Sequence, residues 1–72
     1  MAEPEDYPAD RVRRVRADLC VSQTVFAGLL GVSKSLVEHW ERGLRPPSPT
    51  VRRLLDAVRQ NPASFLARVT VS

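Results

Sequence analysis

Cysteine, histidine and long apolar runs are scarce in this sequence, and each scarcity closes off a class of protein. A single cysteine, Cys20, excludes an internal disulfide. It has no partner at metal-ligand spacing, and the one histidine, His39, has no second ligand to join it. No metal or cofactor is therefore expected. Cys20 also lacks an activating partner and reads as a small, half-buried apolar residue. Neither a signal peptide nor a membrane span is expected, because no apolar run is long enough, and a reducing cytoplasm suits the thiol usage. Paired carboxylates at a plausible site, a Ser/His/Asp arrangement and a glycine-rich phosphate loop are all missing, so an enzyme is not expected. There is no internal repeat and no convincing period-2 strand, although residues 68–72 are compatible with an extended end.

What is present is a core and an uneven charge. Hydrophobic residues make up 43% of 72 residues, enough for one folded domain. A chain this short buries a limited core, and dimerisation is a common remedy. Residues 1–10 carry Glu3, Glu5, Asp6 and Asp10 with no base, a net −4, whereas residues 11–72 carry a net +7. The sequence thus divides into an acidic leader, 1–8, expected to be flexible, and a basic domain, 9–72. A compact basic domain is an electrostatic footprint for nucleic acid, or merely a basic soluble surface.

Helical periodicity covers most of the domain. Val12, Val15 and Leu19 predict a first helix from about 9 to 19, with Asp10 in its first turn, where a negative charge suits the helix dipole. Ser22 has the chemistry of an N-cap, Phe26 and Leu30 share a face, and Gly31 supplies a left-handed stop, predicting a helix over 23–30. Ser33 caps a third, from 34 to about 42, with Val37 and Trp40 inward and Gly43 behind it. Leu44-Arg45-Pro46-Pro47 is a loop. Ser48 and Pro49 read as N-cap and first-turn proline of a fourth helix, whose stripe of Val51, Leu54, Leu55 and Val58 runs to Gln60. Asn61-Pro62 breaks it, and Phe65, Leu66 and Val69 suit a short fifth helix over 62–69. The fold class is all-α, four to five helices around a central pair.

That pair, 22–43, carries the functional signal. The connection Gly31-Val32-Ser33 is too brief for antiparallel packing and sets its helices at roughly 90–120°. Ala27 belongs at the crossing, where a large side chain would push the helices apart, and Val32 plugs the corner. With Val37 and Trp40 turned inward, Lys34, Ser35, Glu38, His39 and Arg42 face out or toward the rim. A helix so presented fits a DNA major groove with its N-terminal residues at the base edges.

Segment 23–43, QTVFAGLLGVSKSLVEHWERG, resembles the helix-turn-helix of the Cro/CI (XRE) phage-repressor family. Residues 31–49, GVSKSLVEHWERGLRPPSP, are similar to HigA-like antitoxins. The resemblance covers about residues 12–60 and rests on Gln23, Ala27, Gly31, Val37 and Trp40, and on the Trp-Glu-x-Gly ending before a proline-rich loop. It implies a lambda-repressor-like fold and assigns roles by position. Gln23 matches a glutamine that bonds a DNA phosphate. Lys34, Ser35 and His39 match positions that reach base edges, and Lys34 suits guanine O6/N7. Arg42 and Arg45 match backbone contacts. Arg16 and Glu41 match a partly buried ion pair, which makes Arg16 structural. Three positions depart from the pattern. Cys20 stands where glycine often ends the first helix, so strain is expected there. Leu36 replaces a small polar residue and either meets a thymine methyl or packs against a partner. Glu38 puts an anion near the groove, to accept from cytosine N4 or to orient a basic neighbour. One of Arg52 and Arg53 is expected in solvent and the other near a phosphate. Arg11, Arg13 and Arg14 either reach the DNA backbone or neutralise the leader's acids.

The expected function is a sequence-specific double-stranded DNA-binding transcriptional regulator. It would repress by occupying an operator as a homodimer through Val58, Phe65, Leu66, Val69 and Val71. In a narrower form it is the antitoxin of a type II toxin–antitoxin module, its leader touching a basic toxin. The rival is a protein-interaction module that keeps the fold without binding DNA.

Overall fold

The computed structural model describes residues 6–70, and side chains as far as residue 67. The chain forms α1 (Ala9–Leu19), α2 (Gln23–Leu30), α3 (Lys34–Glu41), α4 (Pro49–Gln60) and α5 (Pro62–Thr70). There is no strand among the described residues. Arg68 to Thr70 are helical rather than extended, and residues 71–72 lie outside the described residues.

Local chemistry sets most boundaries. Ser22, Ser33 and Ser48 cap α2, α3 and α4, each side chain accepting the N–H three residues on, from Val25, Leu36 and Val51. Each cap satisfies a donor the helix itself leaves unpaired. Glycine closes the far ends of α2 and α3, and Asn61 that of α4. After α2, the N–H of Gly31, at φ 73°, donates to the Gly28 carbonyl at 3.3 Å, and that of Val32 to the Ala27 carbonyl at 3.0 Å. After α3 the pattern repeats, with Gly43 (φ 73°) donating to Trp40 at 3.2 Å and Leu44 to His39 at 2.9 Å. This paired bonding needs a left-handed residue, which glycine adopts without steric cost. Helix α3 stops at Glu41, one residue short of the expected Arg42, which takes the capping position.

The apolar stripes meet in one core. Val12, Val15 and Leu19 of α1 are buried, with Phe26, Ala27 and Leu30 of α2, Val37 and Trp40 of α3, and Val51, Leu55 and Val58 of α4. Helices α2 and α3 share the broadest interface, α1 packs on α3 and α4, and α5 closes the base against α2 and α4.

Three expectations need correction. The leader does not extend to residue 8 as a free segment: Tyr7 is only 4% exposed and belongs to the core. Its hydroxyl donates to Asp56 and accepts from Arg59 Nη1 at 3.5 Å, and Arg11 lies 4.9 Å from its ring centre. The ring fills space beside α4, while the polar edge finds partners that burial would otherwise deny it. Residues 1–5 of the expected leader lie outside the described residues. Second, Val58 and Phe65 do not offer a dimer surface, because they are 2% and 8% exposed within the monomer's own core. Leu66 is half-buried against the same core, and the side chains of Val69 and Val71 lie outside the described residues. Third, Cys20 is exposed, not half-buried.

Cys20 holds the left-handed conformation, φ 57° and ψ 40°, that ends α1. A Cβ in that conformation costs roughly 1–2 kcal/mol. Cys20→Gly removes this strain at the cost of about 0.5–1 kcal/mol of added unfolded-state freedom. A net gain of about 0.5 kcal/mol, read as a rise of about 2–4 °C in Tm by circular dichroism, is expected for a domain of this size. An unchanged or lower Tm would contradict it.

Candidate nucleic-acid interface

The presentation of α3 depends on how its far end is tied down. Glu41, at the last helical position, is 6% exposed and is the one charged side chain buried among the described residues. Arg16 of α1 grips it with two prongs, Nε to Oε2 at 2.6 Å and Nη2 to Oε1 at 2.9 Å. Gln23 of α2 donates to Oε1 at 3.1 Å, and Arg16 Nη1 donates to the Val21 carbonyl at 3.2 Å. One carboxylate thus joins α1, the start of α2 and the end of α3, and Arg16 also ties in the α1–α2 turn. A bidentate guanidinium fixes direction as well as distance. Arg13, one turn before Arg16, donates to the backbone carbonyl of Glu41, an acceptor freed by the end of the helix. The sequence reading missed this cap, although the i, i+3 placement of Arg13 and Arg16 on α1 was a usable signal.

The opposite side of α3 is open. At about 100° per residue, Lys34, Glu38, Arg42, Ser35 and His39 fall within an arc of about 140°, while Trp40, Val37 and Glu41 fill the buried arc. Lys34, Ser35, His39 and Arg42 are all exposed and Glu38 is half-buried. Arg45, in the loop behind Gly43, is exposed as well. Lys34 Nζ stands 3.9 Å from Glu38 Oε1, a loose pair on a side chain still 56% exposed, so the lysine is steadied but not consumed. Leu36, half-buried, packs against the core from the edge beside His39. Of the two α4 arginines, Arg53 is exposed and Arg52 is half-buried against Asp6.

Gln23 sits apart from this outer face, at the first residue of α2. Its amide nitrogen carries two hydrogens, and the bond to Glu41 uses one. Among the described residues no group of three or more His, Cys, Asp or Glu is placed to hold a metal ion, and no helix is long and apolar enough to cross a membrane.

A two-helix unit with a glycine turn, one helix locked inward and its outer face basic and free, is the geometry that helix-turn-helix proteins share. A family model described as "Helix-turn-helix domain" matches residues 9–65. The chain belongs to the helix-turn-helix domain family. Comparison with curated proteins gives no match. Membership in this helix-turn-helix family points to a DNA-binding regulator, and the family span runs from the first residue of α1 to the buried Phe65.

The clamp has a pH signature. Burial pushes the Glu41 carboxyl up, but hydrogen bonds from Arg16 and Gln23 and the charges of Arg16 and Arg13 outweigh burial and hold it below its ordinary value of 4.5. A depressed carboxylate contributes stability above its unfolded pKa, and that contribution is lost as pH falls through the folded value. Glu41→Gln is expected to cost about 1.5–3 kcal/mol near neutral pH, as the partly buried Arg16 loses its counter-charge. It is also expected to flatten the decline in stability as pH is lowered below about 4.5. Urea unfolding at several pH values checks both, and parallel pH profiles for the two proteins would contradict the assignment.

Proposed function

We propose that this helix-turn-helix domain binds double-stranded DNA sequence-specifically and represses transcription by occupying an operator. The observation that carries the reading is the basic outer face of α3, with Lys34, Ser35, His39 and Arg42 exposed together while Val37 and Trp40 anchor the helix from behind. Lys34 and Ser35, in the first turn after the Ser33 cap, read base edges, and His39 reads one turn further on. A lysine suits guanine O6/N7. Arg42 and Arg45 hold the sugar-phosphate backbone. The second amide hydrogen of Gln23, supported by the first N–H groups of α2, reaches a phosphate on the other flank.

One such unit offers few contacts, so the proposal includes a homodimer reading half-sites about one helical turn, ~34–36 Å, apart. With Val58 and Phe65 committed to the monomer core, the dimer uses other surfaces, and Leu44, 68% exposed, is the most exposed large apolar side chain among the described residues. The narrower antitoxin reading rests on the resemblance of residues 31–49 alone, and co-purification with a neighbouring gene's product tests it.

The reading is tested by fluorescence anisotropy on duplexes selected from a random pool, titrated with salt. Affinity is expected to fall tens-fold or more between about 50 and 200 mM salt, through release of counterions from neutralised phosphates. Lys34→Ala is expected to cost about 1–3 kcal/mol and to relax preference at one base position. If Lys34 holds phosphate instead, the loss is uniform across sequences and the salt slope drops by about 1. Failure to retain any duplex at low salt would overturn the DNA reading in favour of a protein-interaction module.

A further inference from the structure

Beside the outer face of α3 lies an open groove of about 770 Å³. Leu36 and Trp40 of α3 form one wall, the loop from Arg45 to Pro49 another, and Arg52 of α4 and Asp6 close it. On the helical wheel Leu36 follows His39 by about 60°, so the groove borders the His39 edge of the proposed reading face. The major groove is about 12 Å wide, hardly more than a helix with its side chains. A duplex taking α3 therefore lays one sugar-phosphate backbone along each edge of the helix. One of these runs over the groove that Arg45 and Arg52 share.

Arg52 is already engaged there. Its Nη1 stands 3.3 Å from Asp6 Oδ1, whereas its Nε is buried with no hydrogen-bond partner among the described residues. The acid does not reach this place by drift. Tyr7 is buried next to it and bonded to Asp56 and Arg59, and Arg11 Nη1 holds the Asp6 carbonyl at 3.0 Å. The backbone is pinned directly after a side chain that is itself 94% exposed. A carboxylate oxygen thus occupies the position a phosphate oxygen would take on Arg52. The pair is single-pronged and open to water, the kind that exchanges readily.

We propose that Asp6 is a built-in competitor of DNA phosphate for Arg52. In the free protein the carboxylate neutralises the guanidinium in cis; when a duplex docks, a phosphate oxygen replaces it. This rests on the DNA-binding reading and adds to it a brake on affinity. The brake has a signature in a double-mutant cycle: removing the acid strengthens binding only while Arg52 is present to take the phosphate.

The test compares wild type, Asp6→Asn, Arg52→Gln and the double variant on one selected duplex, each checked for folding by circular dichroism. Asp6→Asn is expected to bind about two- to five-fold more tightly at low salt, the range an exposed ion pair is worth. In the Arg52→Gln background the same change is expected to bring no gain. Unchanged affinity in Asp6→Asn would overturn the competition. So would an equal gain in affinity in both backgrounds, which marks general repulsion between Asp6 and DNA. In either case, tight binding by wild type leaves the DNA reading standing. Absence of duplex binding by every variant would overturn that reading and the competition with it.

Discussion

A single buried carboxylate decides how this molecule presents itself. Glu41 ends α3 inside the protein, where an unpaired charge would be costly, and Arg16 and Gln23 supply three hydrogen bonds to it. Apolar contacts alone hold a short helix against a core but leave it free to roll. A planar guanidinium fork on a carboxylate resists rolling, because rotation of α3 breaks two directed bonds together. With Arg13 on the terminal carbonyl, three side chains from two helices fix the end of a helix only eight residues long. A helix of that length has little stability of its own and takes its orientation from the body it packs on.

The same helix is divided by its period into two roles. Val37 and Trp40 are 0% and 2% exposed, whereas Ser35, His39 and Arg42, one or two positions away, are in water. Nothing on the outer face is needed to hold the fold, so Lys34, Ser35 and His39 are free for recognition. The tight glycine turns at Gly31 and Gly43 serve the division by ending each helix before its outer face runs into a neighbour. The loop behind Gly43 then turns back onto the molecule, where a Cβ added at Gly43 would lie 3.8 Å from that of Ala9.

Much of this is legible in the sequence, because it is governed by local rules. Serine caps, glycine stops and 3.6-residue stripes need no knowledge of distant partners. They place the α1, α2 and α4 boundaries where the structure has them, and misplace α3 by one residue. The residues that escaped are those whose role depends on the far side of the fold. Tyr7 sits among prolines and acids, a composition that reads as leader, and its partners Asp56 and Arg59 come 49 and 52 residues later. Asp6 meets Arg52 across 46 residues. Phe65 is surplus to a four-helix core, and only the packing of α5 gives it a buried place. Cys20 looked half-buried because its chemistry is apolar, but a left-handed helix end points its side chain to solvent. Arg16 and Glu41 were named together only through the resemblance, since spacing alone pairs no residues 25 apart.

The location of the interface is tested most directly by nitrogen-15 NMR of the full chain titrated with a selected duplex. The largest amide shifts are expected at residues 34, 35, 39, 42 and 45, with weaker ones at the start of α2 and small ones along α5. Shifts centred on α5, with α3 unmoved at saturation, would contradict it.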